Sequence, residues 1–442
     1  MTAALQHDVL IIGGGPSGAT AALQLARAGV DVAIIEKHAF PRFRLGESLI
    51  PENFNLIREL GLLDRVRALP HVVKLGAEFG MGGGTETSLF RFSTGMSGQR
   101  DETLNIARAR FDAMLLDAAV EAGATLYQPR EVTRVDQLRD GDTRISTSAG
   151  PLRCKYILDG SGQATVLARH LGIRHNLPDD HLRKVAYFEH FTGCDHPHGD
   201  MRGCPTIAMS DEGWIWMIPL DETTTSVGFV ARPELTRQIN VPANRMLAWG
   251  IEHCPLIQSR MQHARGPVIN RVTSDFSYRC RPMVGRGYFL LGDAATFMDP
   301  VFSTGVCLGM MHGKHIGELL PEVLAGRLDP RAARQQYVDA SEKPTRYFTH
   351  MIDLYYQHAF RELFLSGQGP LGMHRAVLSL LAGHVFPKPS WSVRWRCHLF
   401  DWCVRVQRHV ALGPRRERFS MLSTEAVELP WARSPMESLI AV

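Results

Sequence analysis

The chain has 442 residues, 45% apolar and 21% charged, enough to bury a large core as two α/β lobes with an appendage and too apolar for disorder at scale. Its net charge of +4 is spread along the chain apart from an arginine-rich stretch after residue 390, which argues against nucleic acid as a partner. There is no run of 18 uncharged apolar residues, and the apolar N-terminal segment lacks a basic flank, so the expectation is a cytoplasmic protein without a membrane span.

Residues 9–20, VLIIGGGPSGAT, carry an apolar strand straight into Gly13, Gly15 and Gly18, and SGATAALQLARAGV continues as an amphipathic helix. Glycines there let the backbone turn tightly, admit a pyrophosphate against the main chain and aim the helix N-terminus at its charge. Glu36 closes the next strand, VDVAIIE, where a carboxylate can accept ribose hydroxyls. A carboxylate at that place disfavours a 2′-phosphate, so FAD or NAD is expected rather than NADP.

PRFRLGESLIP follows at 41–51 and VVKLGAEFG, with Lys74, at 72–80. NIARARFDAMLLDAAVEAGATLY at 105–127 predicts an amphipathic helix and then a strand, with Arg108 at the entrance, where a cation can meet phosphate or flavin oxygens. YILDGSGQAT at 156–165 reads as a buried strand broken by Asp159-Gly160-Ser161-Gly162, whose glycines allow close backbone approach. KVAYFEHFT at 184–192, GWIWMIPL at 213–220 and TTTSVGFVAR at 223–232 have the β-branched and aromatic content of strands. Pro219 should end its strand at a sheet edge. GYFLLGDAAT at 287–296 predicts a strand ending on Gly292-Asp293 and opening a helix, with a carboxylate placed to accept a ribityl hydroxyl. These segments tip the choice of dinucleotide from NAD to FAD.

FMDPVFSTG at 297–305 forms a turn into a helix, with Ser303 or Thr304 as the N-cap. Beyond it, RYFTHMIDLYYQHAFRELFL at 346–365 sets Phe348, Ile352, Tyr355, Ala359 and Leu363 on one helical face that should dock on the core. A loop at 367–372, a helix from about 374 and a break at 387–390 lead to a tryptophan- and arginine-rich helix expected to end near Gly413-Pro414. That helix reads first as packed and amphipathic with a solvated basic face; docking to an acidic carrier protein or resting on a membrane surface are the sharper alternatives. The eight cysteines, at 154, 194, 204, 254, 280, 307, 397 and 403, include no CxxC. Neither a metal site nor a disulfide framework is expected from them, and free, mostly buried thiols are. No internal repeat or low-complexity segment is apparent.

In this order and spacing the segments over residues 5 to about 345 resemble the aromatic-hydroxylase superfamily of FAD proteins. Trp214-Ile215-Trp216-Met217-Ile218-Pro219 is similar to the WxWxIP signature of flavin-dependent halogenases, and Phe297, Pro300, Ser303 and Gly305 match their second signature. Tryptophan-type members carry a glutamate before the serine of that signature. Phe302 stands there in this chain, a form similar to the phenol and pyrrole halogenases.

The resemblance implies an α/β, Rossmann-like FAD-binding domain of the aromatic-hydroxylase type with an inserted β-sheet substrate lobe and a C-terminal helical extension. Its FAD-binding domain would span 1–180 and 276–345, its substrate lobe 181–275, and a helical region covering the substrate site 346–442. It assigns FAD contacts to Gly13, Gly14, Gly15, Ser17, Gly18, Glu36, Arg44, Glu47, Arg108, Asp293 and Val306. Halide binding falls to Thr304 and Gly305 in a loop shaped by Pro300 and Ser303, and the catalytic lysine to Lys74. Two indoles at alternate strand positions, Trp214 and Trp216, would share a face and wall the flavin off from substrate.

FADH₂, O₂ and chloride or bromide would then yield hypohalous acid, relayed by Lys74 to an electron-rich phenolic or pyrrolic substrate of specialised metabolism, free or tethered to a carrier protein. With no second nucleotide-binding domain evident, a separate NAD(P)H:flavin reductase is the expected partner. His190, His350 and Glu189 are candidates for activating the ring by the composition of their segments alone. An FAD-dependent aromatic monooxygenase, a prenyl reductase and a flavin-binding protein without catalysis stay open as alternatives.

Overall fold

A computed structural model describes residues 5–96, 102–177, 183–267, 269–274, 277–367, 369–386, 388–427 and 431. The strand Leu5–Ile12 sits inside a largely parallel sheet, flanked by Val32–Ile35 and Gly150–Asp159. Thr125–Tyr127 lies beyond the first neighbour and Tyr288–Leu290 beyond the second. Val9, Leu10, Ile11, Ala33, Ile34, Ile157 and Leu158 are essentially inaccessible to solvent, as continuous apolar strands in a sheet covered on both faces must be.

Register carries the functional consequence. Ile12 pairs with both Ile35 and Asp159, and Asp159 pairs with Leu290. The segments following these strands, at Gly13, Glu36, Gly160 and Gly292, therefore meet along the carboxyl edge of the sheet, where ligands bind in open α/β folds. Gly18 is needed there for packing, since a Cβ on it would lie 2.0 Å from the Gly13 carbonyl oxygen. The helices Pro16–Arg27 and Gly305–Leu324 also pack with little side chain between them: a Cβ on Gly309 would meet the Ser17 hydroxyl oxygen at 2.3 Å, and one on Gly313 the Ser17 carbonyl oxygen at 2.5 Å.

The second sheet has seven strands in the order Arg271–Thr273, Val185–Thr192, Thr224–Ala231, Gly213–Pro219, Thr206–Met209, Gly76–Met81 and Ser88–Arg91. The last two come from well ahead of residue 181, so this sheet draws on more of the chain than the expected 181–275. Gly213–Pro219 is its central strand, which corrects the expectation of an edge strand. Pro219 is tolerated because it is the final residue of the strand, opposite Thr225, where the ladder is already ending. Strand alternation sorts the side chains, with Trp214 and Trp216 joining the core shared with the first sheet while Ile215 and Met217 enter a separate core under the helices of 235–258.

Three other expectations change. Asp293 opens no helix: Gly292–Ala294 is a single 3-10 turn, because Thr296–Phe297 returns to pair as a strand with Tyr278–Cys280. The docking face of 346–365 belongs to two helices, Pro330–Tyr355 and His358–Leu365, broken at Tyr356-Gln357, with all five named residues buried. Pro330–Tyr355 runs unbroken across the boundary drawn at 345/346, and the boundaries at 180 and 275 fall outside the described residues. The tryptophan-rich helix Trp391–Gln407 stops short of Gly413 because the Gln407 side-chain oxygen accepts from the N–H groups of Leu412 and Gly413, at 2.7 and 3.0 Å, and folds the chain back. Pro387, in the expected break, is outside the described residues.

Candidate active site

A cavity of about 610 Å³ runs from the glycine loop to the central strand of the second sheet. Gly13, Gly15, Ser17, Glu36, Arg44, Glu47 and Arg108 line it at one end. The Glu36 carboxylate accepts from the Gly14 N–H at 2.8 Å and the His38 N–H at 2.9 Å, so it is held at the sheet edge. Arg108, the first residue of the helix Arg108–Glu121, donates to Asp112 at 2.7 and 3.0 Å and to the Leu45 carbonyl at 2.6 Å.

Asp112 is fully buried and also accepts from Arg42 at 3.0 Å. The buried Nε of Arg42 has no partner among the described residues, and Arg42 Nη2 lies 3.3 Å from where a Cβ on Gly15 would stand. An orphaned guanidinium N–H beside a glycine loop and a helix N-terminus fits a pyrophosphate, so the donors present suit FAD.

At the other end the cavity is walled by Trp214, Trp216, Phe188, Asp293, Asp299 and the turn Pro300–Val306. The two indoles lie 5.6 Å apart, 2% and 4% exposed. Trp216 fits because its strand neighbour is Gly228, where a Cβ would meet the ring at 2.2 Å, and its Nε1 donates to Ser226 at 3.2 Å. Burial pushes the Asp293 carboxyl up to about 6, against the pull of Arg108.

Thr304 occupies the N-cap of the 20-residue helix Gly305–Leu324, but its side chain makes no capping bond, and Ser303 takes a left-handed φ of 59°. Gly305 and Val306, in the first turn of this helix, line the cavity, where the helix dipole favours negative charge.

Lys74 does not line this cavity. It ends the strand Val72–Lys74, paired with Thr103–Asn105, and is 3% exposed. Its Nζ donates to the Ser48 Oγ and to the Leu49 carbonyl, each at 2.9 Å, and stands 5.4 Å from the Phe92 ring centroid. Ser48 does line the cavity, so the ammonium sits one hydroxyl behind its wall. The segment is held by main-chain bonds from Leu49 to Leu104 and from Ile106 to Glu47, at 2.9 and 2.8 Å. Burial pulls the Lys74 pKa down from 10.5 to about 7.

Of the residues expected to bind FAD or halide, wall the flavin or relay halogen, Gly14, Gly18 and Lys74 stand behind the cavity surface and the others form it; the ring-activating candidates do not line it. His190 comes within 3.0 Å of the Glu47 carboxylate; burial works against the imidazolium, yet Glu47 and Glu189 outweigh it and raise its pKa. Glu189 lies 3.5 Å from Arg271, and His350 pairs with Asp401 at 2.8 Å on the helical region. Arg42, Ser48, Asp112, Asp299 and Tyr356 were not singled out from the sequence. Arg42 and Ser48 lie within PRFRLGESLIP, and that segment was the available signal for them; Tyr356 had none beyond helical spacing. Among the described residues no cluster of His, Cys, Asp or Glu could hold a metal, and no helix is long and apolar enough to cross a membrane.

A family model described as "FAD binding domain" matches residues 6–342, and the chain belongs to that class of flavoproteins. It is 31% identical to a 1H-pyrrole-2-carbonyl-(peptidyl-carrier protein) brominase of Pseudoalteromonas luteoviolacea, across 72% of this chain and 78% of that protein. It is 30% identical to a tryptophan 2-halogenase of Chondromyces crocatus across 74% of this chain, though the match spans only 64% of that protein. The solved flavin-dependent brominase Bmp2 superposes with a TM-score of 0.80 at 28% identity, covering 91% of this chain and all of Bmp2. Within the FAD-binding class, the chain belongs to the flavin-dependent halogenases, enzymes that use FAD with halide and O₂.

Proposed function

We propose that this protein halogenates an electron-rich phenolic or pyrrolic substrate, free or carrier-tethered, through hypohalous acid relayed by Lys74. The observation that carries this reading is a buried lysine, its pKa drawn to about 7, joined through Ser48 to the wall of the FAD cavity. When bound, reduced FAD supplies two electrons to O₂, so that halide and a proton leave as hypohalous acid and the second oxygen leaves as water.

The residues divide the remaining work. Thr304 and Gly305 present N–H groups and a helix dipole to the halide anion. Trp214 and Trp216 close the space a substrate ring would need to reach the flavin. The Ser48 hydroxyl and Leu49 carbonyl fix the Lys74 Nζ, which hydrogen-bonds hypohalous acid or, as the neutral amine, takes its halogen as a haloamine with release of water. Transfer to the ring carbon releases the ring proton. Glu36, Arg42 and Arg108 hold the nucleotide. Reduced flavin arrives from a separate NAD(P)H:flavin reductase in the cytoplasm.

Incubation with FAD, a flavin reductase, NADH and bromide against phenolic and pyrrolic probes, read by mass spectrometry, tests this reading. The bromine isotope pattern on the product is expected. Oxygen addition without bromine would move the assignment to an aromatic monooxygenase.

A further inference from the structure

Tyr356 stands just past the C-terminal end of Pro330–Tyr355, in the helical region outside both sheets. Its hydroxyl is placed between two parts of the site. Trp214 Nε1 donates to it at 3.2 Å, and it donates in turn to Asp299 Oδ2. An indole N–H can only donate, so the tyrosine oxygen accepts there and its own proton is given to the carboxylate.

Asp299 is 2% exposed, and its other oxygen accepts from the Val301 N–H at 3.0 Å. One hydroxyl thus ties an indole of the flavin-side wall to the turn that leads into Thr304 and Gly305. Lys184, 4% exposed, sets its ammonium 4.5 Å from the centre of the Tyr356 ring. Burial raises the Asp299 pKa, with the Tyr356 hydrogen bond and the Lys184 charge pulling against it.

We propose that Tyr356 is a positioning residue for halide oxidation, holding the Trp214 indole and the halide-binding turn at a fixed separation through Asp299. This rests on the halogenase reading above. A tether serving stability alone would need only the bond to Asp299. Taking the indole N–H on the same oxygen makes the wall and the turn move together, so oxidised halide leaves toward Lys74 instead of escaping to solvent.

Tyr356→Phe removes the hydroxyl while leaving the ring for Lys184 and for Tyr355, whose ring lies 5.4 Å away. The expected result is an increase in the halide KM of about tenfold. The fraction of reduced flavin that ends as halogenated substrate should fall severalfold, with free hypohalite trapped by monochlorodimedone rising in step. Asp299→Asn should shift both readouts in the same direction.

A wild-type halide KM and coupling ratio in Tyr356→Phe would overturn the proposal even if its melting temperature fell. Absence of brominated product from the wild-type enzyme would instead sink the halogenase reading, which keeps the two failures apart.

Discussion

The two ends of the cavity are built in opposite ways. At the nucleotide end, backbone and short-range sequence carry the site: a strand, a glycine turn and a helix within residues 5–27, with Glu36 one strand away. At the reaction end, Trp214, Asp299 and Tyr356 come from three distant segments and meet only through tertiary packing, while Lys74 reaches the wall from a fourth through Ser48. A site made of main chain tolerates most side-chain changes but not an added Cβ. A site made of converging side chains is open to single-atom edits that leave the fold intact.

The sharpest break of that contrast is Lys74→Ala. The variant should keep FAD and continue to consume reduced flavin and O₂ while making no halogenated product. Product at the wild-type rate would remove Lys74 from the mechanism. Gly18→Ala attacks the other end, with a methyl 2.0 Å from the Gly13 carbonyl that cannot be relieved without moving the loop. A loss of about 3 kcal/mol in stability and failure to retain FAD are expected. Full FAD occupancy measured by absorbance would show that the loop is looser than its packing implies.

A subtler test separates chemistry from stability at the reaction end. Because folding lowers the Lys74 pKa to about 7, the unfolded chain binds an extra proton between about 7 and 10.5, and stability rises with pH across that window. Lys74→Met should therefore be more stable than wild type at pH 7. Its advantage in melting temperature should shrink as pH rises toward 10. A constant difference would mean that the lysine is not buried as an amine.

The smallest effect is expected on the helix Trp391–Gln407, which buries Val393, Phe400, Cys403 and Val404 and leaves Trp391 and Trp402 72% and 57% exposed. Charge reversal of Arg394, Arg405 and Arg408 should leave KM for a free phenol within about twofold of wild type, as solvated charges contribute little. A rise confined to a carrier-tethered substrate would assign this face to the carrier.

Legibility followed the same division. The glycine loop, Glu36, Arg108, the WxWxIP strand and the 297–305 turn were all recognisable because each is a contiguous pattern. Pro219 was misread as an edge marker because sheet order is not written along a strand. The helix expected after Asp293 failed because Thr296 and Phe297 are captured as a strand by Arg279 and Tyr278, with the Thr296 hydroxyl donating to the Tyr278 carbonyl. Gln407 ended its helix through side-chain bonds to N–H groups five and six residues on, a local cap that helix propensity does not encode.

What the chain carried by itself was the nucleotide fold, since strand–turn–helix geometry depends on neighbours within a few residues. It also carried the motif positions of Lys74 and the two tryptophans. Only the tertiary structure decided that Lys74 is desolvated behind Ser48, that Arg42 keeps an unpaired donor beside the glycine loop, and that Tyr356 joins the wall to the turn. Burial and hydrogen-bond partnership depend on what packs against a residue, and that becomes known only when distant segments are brought together.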